Sequence, residues 1–142
     1  MFWLFKTDPE TYSWDDLVKD GKTIWDGVRN FQARNYLEKV APGDLILIYH
    51  SQSDKAVVGI AKAVSSAVPD PTAESSNWVA VEIVPVVALP QKVTLQAIKS
   101  NSELANLPLI RQSRLSVMPI EDSAFYRICE MGGVDVKSLI RK

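Results

Sequence analysis

Leu45-Ile46-Leu47-Ile48-Tyr49 with His50-Ser51 after it, a polar connection from Gln52 to Lys55, and then Ala56-Val57-Val58-Gly59-Ile60-Ala61-Lys62-Ala63 form the stretch on which the fold reading turns. The first run is continuously apolar from Leu45 to Tyr49 and begins just after a Gly43-Asp44 turn, which predicts a strand buried on both faces. It delivers Tyr49, His50 and Ser51 at its end. The second run is rich in β-branched residues and returns after only a few polar ones, so the pair predicts a hairpin. Gly59 within it marks either a bulge or a close backbone approach.

Working outward, Phe2 to Lys6 reads as a first strand, short and aromatic, stopped by Asp8-Pro9. Either Trp3 and Phe5 or the alternating Phe2 and Leu4 face a pocket. Ser13-Trp14-Asp15-Asp16 has the form of a capping box, so a short helix starts there and Gly21 ends it. After a turn at Trp25-Asp26-Gly27, the spacing of Val28, Phe31, Leu37 and Val40 predicts a helix over Arg29 to Lys39, closed by Pro42-Gly43. Pro69-Asp70-Pro71 breaks the chain, and Trp78 to Val87 reads as the longest strand. Thr94 caps a helix through Lys99, and Ser102 a shorter turn through Asn106. Leu115 to Ile120 is a further strand, and Glu121 to Met131 a helix ended by Gly132-Gly133. Strands and helices mix without regular alternation, and several strands adjoin through short turns. That pattern favours an α+β fold with a mainly antiparallel sheet, curved or closed into a small barrel ringed by helices.

The chain has 142 residues, enough for one domain with a core that needs no metal or disulfide staple. Hydrophobic residues make up 46% and charged residues 23%, near the globular average. A net charge of -1 removes the broad basic surface that is the strongest composition argument for nucleic-acid binding, so any such binding must use local patches. Cys129 is alone, which fits a reducing compartment, and its place in a helix reads as buried filler. The apolar N-terminus is interrupted at Lys6, Asp8 and Pro9, too soon for a signal-peptide core, and no stretch is long enough to span a membrane. A cytoplasmic, membrane-free location is the expectation.

The chemistry-bearing residues concentrate between Trp25 and Asn35, where an aromatic platform, two arginines and several carboxamides fall together. Stacking a flat ring while hydrogen-bonding its edge needs those residue types, and base-on-aromatic stacking is worth about 1 to 3 kcal/mol. Trp25 is therefore read as a stacking platform or as core. Arg29 and Asn30 sit where a helix start leaves backbone N–H groups unpaired, with Asn30 either meeting a ligand or serving as N-cap. Arg34 is a solvated charge or a phosphate contact. Trp14 and Trp78 read as core or partly so. A second polar cluster, Arg111, Ser113, Arg114 and Ser116, has the composition of a phosphate clamp. His50 is the sole histidine, and its neighbour Ser51 is not a catalytic partner, because adjacent strand residues point to opposite faces. No nucleophile elbow, phosphate-cradling glycine loop or Cys-x-x-Cys is present, so no catalytic constellation and no cofactor are expected.

These residues also resemble a known family. Trp3-Leu4-Phe5-Lys6-Thr7-Asp8-Pro9 with Tyr12-Ser13, Trp25-Asp26-Gly27-Val28-Arg29-Asn30 with Ala33-Arg34-Asn35, and Gly43-Asp44 before Tyr49-His50-Ser51 are similar to the EVE domain family. So are Val58-Gly59-Ile60-Ala61, Pro69-Asp70-Pro71-Thr72 and Arg114-Leu115-Ser116-Val117, and the likeness runs essentially end to end. The family often carries Ser-Glu where this chain has Thr7-Asp8. The resemblance implies a PUA-like fold in a single domain, a non-catalytic module that reads a modified base of DNA or RNA. It implies a pocket around Trp25, Arg29, Asn30, Tyr49, His50 and Ser51, with Lys6, Ser13 and Arg114 nearby. A base leaves its stack at a cost of a few kcal/mol, offset by stacking and edge hydrogen bonds. An added methyl against an apolar wall contributes about 0.8 kcal/mol. Two other readings stand beside it: a small-molecule or nucleotide-binding enzyme using His50, and a protein-interaction module. For a nucleic-acid binder, the charge balance predicts a shallow dependence of log K on log salt concentration, since few phosphates are neutralised. Titration at several salt concentrations checks this, and a steep slope would indicate a broad basic groove instead.

Overall fold

The computed structural model describes residues 1–52 and 54–140, without the side chain of Ile140. Along the chain run β1 (Phe2–Thr7), α1 (Trp14–Asp20), β2 (Thr23–Trp25), α2 (Phe31–Leu37), β3 (Leu45–His50), β4 (Ala56–Ala63) and β5 (Val68–Pro69). They are followed by β6 (Val79–Thr94), α3 (Leu95–Ser100), α4 (Pro108–Arg111), β7 (Val117–Ile120), α5 (Asp122–Met131) and α6 (Val136–Ile140). The sheet order is β2-β6-β4-β3-β1-β7, with β5 added beside β6. β1 and β3 run parallel, and the other pairs among the described residues are antiparallel. This is the mainly antiparallel α+β architecture that the sequence predicts.

The hairpin forms where expected, and its register explains the curvature. Pairing slips between Ile48 and Tyr49, between Val57 and Gly59, and between Ile60 and Ala61. Two slips leave one extra residue on a single strand, and that between Val57 and Gly59 leaves Val58 on β4 facing Leu89 to Lys92 on β6; such irregularities bend the strands and raise the local twist. Pro85, paired with Ala61, sits at one of these irregularities, a place within a sheet where proline is tolerated. The same effect corrects the expected end of the longest strand. Past the bulge, Val93 and Thr94 pair again with Val57 and Ala56, so β6 continues beyond Val87 through a segment whose Pro90, Gln91 and Lys92 look like turn residues.

Trp3, Leu4 and Phe5 on β1 and Ile46, Leu47 and Ile48 on β3 are all essentially inaccessible, as a strand covered on both faces requires. On one face Phe2 stacks on Phe125 of α5 at 3.9 Å, and on the other Trp3 meets Tyr36 of α2. Cys129 lies fully buried on α5, and burial pushes its thiol up to about 12, which suits filler rather than chemistry. No helix among the described residues is long and apolar enough to cross a membrane.

Helix boundaries follow local chemistry. Ser13 accepts from the Asp16 N–H and the Asp16 carboxylate accepts from the Ser13 N–H, a complete capping box. α2 is shorter than the expected Arg29 to Lys39, because Asn30 is its N-cap and Arg29 lies outside it. β7 likewise begins at Val117 rather than Leu115, while β2, α4 and α6 carry no periodic signal strong enough to foresee.

Gly59 fixes where α1 lies. A Cβ built on it falls 2.5 Å from ring atoms of Trp14, so the indole of the first helical residue rests directly on the strand backbone. Gly59→Ala is expected to force the ring away and cost about 1 to 3 kcal/mol, as overpacking does. Urea unfolding checks this, and an unchanged midpoint would mean that the close approach does not constrain the fold.

Candidate functional site

Parallel pairing brings the C-terminal ends of β1 and β3 to one edge of the sheet, with Lys6 opposite Tyr49 and Thr7 opposite His50. Beside that edge β2 ends at Trp25, and the chain turns through Asp26 and Gly27 before reaching α2. Gly27 sits at φ +77°, a left-handed conformation that favours glycine, so the turn is reached without Cβ strain. Between these segments lies a cleft of about 710 Å³, within the range of roughly 300–1,000 Å³ typical of small-ligand sites. Trp25, Ile24 and Val28 supply its apolar lining, and Lys6, Asp26, Arg29 and Asn30 its charged and amide groups.

Trp25 is both core and wall. It ends a strand paired to Val81 of β6 rather than sitting on a free turn, and only 8% of its surface is exposed. Phe5 backs its ring at 5.5 Å and Tyr12 meets it edge-on at 6.3 Å, which fixes the orientation of the indole.

The loop after Trp25 is held by a residue that sequence reasoning treated only as a chain breaker. The Asp70 carboxylate, with no exposed side-chain surface, accepts from the Gly27 N–H at 2.8 Å and pairs with Arg29 Nη1 at 2.9 Å. It also accepts from the Thr72 N–H at 2.7 Å and the Thr72 hydroxyl at 2.6 Å. Burial works against its ionisation, but the bonds from Thr72, Arg29 and Gly27 together outweigh it and hold the pKa at about 2. The available signal was Asp70-Pro71-Thr72, since an Asp two residues before a hydrogen-bonding Thr is the pattern of an Asx turn.

Much of the polar density between Trp25 and Asn35 is consumed by the fold. Arg29 lies over the Trp78 ring at 5.6 Å while gripping Asp70, and Phe31, 60% exposed, stacks on the same indole. Arg34 donates to the Asn77 carbonyl at 2.6 Å and pairs with Glu38, so it staples the Asp70–Trp78 loop. The Asn30 carbonyl oxygen accepts from the Ala33 N–H as N-cap. Its amide nitrogen and the Asp26 carboxylate make no hydrogen bond among the described residues, so both can meet a ligand edge.

The nine sequence-selected residues do not all converge. Lys6, Trp25, Arg29 and Asn30 line the cleft. Ser13 is occupied in its capping box, and Tyr49, His50 and Ser51 are not among the lining residues. His50 Nε2 accepts from the Trp14 N–H at 3.1 Å, so Nδ1 carries the proton and faces the Asp54 carboxylate at 3.2 Å. Both ring nitrogens are thereby engaged in joining α1 to the connection after β3. Arg114 lines a separate, smaller groove that meets the cleft at Asn30. Lys6 reaches across to the Ser113 carbonyl at 2.9 Å, and burial lowers its pKa.

Residues 1–131 match the EVE domain. The chain belongs to the EVE domain family. Human thymocyte nuclear protein 1 is 30% identical, over 87% of this chain and 70% of its own length. A Rhodopseudomonas palustris protein solved by NMR is 40% identical with a TM-score of 0.88, covering 93% of this chain and 92% of that one. The human THYN1 protein, solved in complex with 5-methylcytosine-containing DNA, is 27% identical with a TM-score of 0.87 over 94% of this chain and 98% of its own. A Zygosaccharomyces rouxii YTH domain shares the fold alone, at 15% identity and a TM-score of 0.59 over 92% of this chain and 85% of that one. The fold of this chain is PUA-like, as the family resemblance implies.

Because the Asp70 pKa lies below the ordinary 3.8, its contribution is fully present above about pH 5 and lost as pH falls through about 2. The depression corresponds to about 2 kcal/mol. Unfolding free energy measured from pH 6 to pH 2 should therefore fall in wild type, while Asp70→Asn should be less stable at pH 6 and flatter toward acid. A variant with the wild-type profile would remove Asp70 as the anchor of the loop.

Proposed function

We propose that this EVE domain is a non-catalytic reader of a modified base in DNA or RNA, and that the cleft beside Trp25 receives the base. The observation that carries the reading is a preformed cleft that joins an oriented indole and apolar side chains to unsatisfied edge groups. A flat heterocycle enters against Trp25, while Asn30 Nδ2 supplies a donor and Asp26 an acceptor to its polar edge. Ile24 and Val28 provide apolar surface for a methyl-sized addition, whose burial favours the modified over the unmodified base. The human THYN1 protein, similar in fold over nearly the whole chain, is solved with DNA containing 5-methylcytosine, which supports the same class of ligand here. We assign it to a location inside the cell, where such ligands occur.

Lys6, Arg29 and Asn30 act at the cleft in this reading, with Arg29 held in place by Asp70. Tyr49, His50, Ser51 and Ser13 support it from behind by fixing the ends of β1, β3 and α1. Neither alternative is favoured by a specific observation. An enzyme using His50 would need a ring nitrogen available to substrate, and both are engaged.

Wild type is expected to bind oligonucleotides containing 5-methylcytosine or N6-methyladenine more tightly than the matching unmodified strands, for at least one of the two. Trp25→Ala should abolish that preference, but it also removes a ring packed on Phe5 and costs stability of about 3 to 5 kcal/mol. Ile24→Glu, at a 42% exposed position on the cleft, leaves the core intact and should lose the preference as well. Fluorescence anisotropy with folded protein decides the matter: equal affinity of wild type for modified and unmodified strands, single- and double-stranded, would sink the proposal.

A further inference from the structure

Beyond the cleft, a groove of about 320 Å³ is lined by Asn30, Gln32, Arg111, Gln112, Ser113 and Arg114, with Leu115 at its base. Its composition differs from that of the cleft. No carboxylate lines it, whereas Asp8 and Asp26 line the cleft, so a protein of net charge -1 gathers two arginines and three carboxamides around one depression. Asn106 orients Arg111 through a 2.7 Å hydrogen bond to Nη2. Arg114 is exposed and makes no ion pair or side-chain hydrogen bond among the described residues. Planar guanidinium donors beside neutral amide donors suit an oxyanion, and phosphate above all.

The groove is continuous with the cleft. Asn30 lines both, and Lys6, which lines the cleft, donates to the carbonyl of Ser113 in the groove. This adjacency puts Arg111 and Arg114 on the side of the cleft toward which Asn30 and Lys6 extend. We propose that this groove seats the phosphodiester flanking the recognised base, so that the protein binds a nucleotide within a strand rather than a free base. This rests on the reader function proposed above. It divides the labour, with the cleft supplying discrimination and the groove sequence-independent affinity and register.

The test uses the full chain carrying Arg111→Gln and Arg114→Gln together, both at exposed positions, alongside a variant with lysine at both. Binding of modified and unmodified oligonucleotides is measured across salt concentrations. The glutamine variant should weaken binding to both strands by about tenfold or more, leave their ratio unchanged, and reduce the salt slope by about 1 per arginine. The lysine variant should keep most of the slope, since it preserves charge. Unchanged affinity and slope in the glutamine variant would overturn the groove assignment while leaving a modified-over-unmodified ratio intact. Loss of that ratio in wild type would instead overturn the cleft reading, and the slope would still report on the groove. Inorganic phosphate provides the remaining arm, followed by amide chemical shifts of residues 111–115. Saturable binding of phosphate to the groove, combined with an oligonucleotide slope that the glutamine variant leaves unchanged, would assign it to a free anion and overturn the proposal.

Discussion

The carboxylate of Asp70 is the constraint on which the candidate site depends. It is buried with no exposed side-chain surface, and a buried charge is tolerated only when it is paired and hydrogen-bonded. Four donor groups meet that need: the Gly27 N–H, the Arg29 guanidinium, and the N–H and hydroxyl of Thr72. Two of them lie on the segment that follows Trp25, which the carboxylate therefore ties to the loop before β6. The cleft owes its shape to this tie, because the Asp26-Gly27 turn forms its rim and Arg29 is aimed by the same anion.

A similar economy runs through the rest of the site. Arg29 grips Asp70 and covers Trp78, while Phe31 takes the other contact with that indole, so cation, indole and phenyl form one tier rising from the cleft rim to solvent. Arg34 joins α2 to the same loop through the Asn77 carbonyl. Behind the cleft, Phe5 and Tyr12 hold Trp25, and His50 locks the first turn of α1 against the connection after β3. Groups with side chains occupied in this way cannot rearrange freely on binding. A preorganised cleft of this kind spends little binding free energy on ordering itself.

The legible part of the fold lay in features that act over a few residues. The Ser13–Asp16 capping box, the Asn30 and Thr94 caps, the doubly buried run of β3 and the hairpin to β4 are all local, and all form. Gly59 was ambiguous between bulge and close approach, and it is both: the register slips there and the Trp14 ring lies on its Cα. The expected end of the longest strand at Val87 falls short, because the turn-like composition of Pro90 to Lys92 is overridden where Val93 and Thr94 pair with β4 across an irregularity. β2 was invisible, being three residues long and stabilised by β6 rather than by its own pattern.

For the site, the sequence by itself determined the inventory: the aromatic, guanidinium and carboxamide groups between Trp25 and Asn35, the second arginine cluster, the lone histidine and the family that these motifs mark. Tertiary structure decided their allocation. It set Lys6 beside Trp25, moved Arg114 to its own groove, closed His50 against Trp14 and Asp54, and made Asp70 the partner of a residue 41 positions earlier. The reason is that caps and apolar periodicity are satisfied by neighbours in the chain, so they can be read from spacing. A buried charge or an aromatic face is satisfied by whatever the folded sheet brings within a few ångströms, and sequence separation carries no information about that distance.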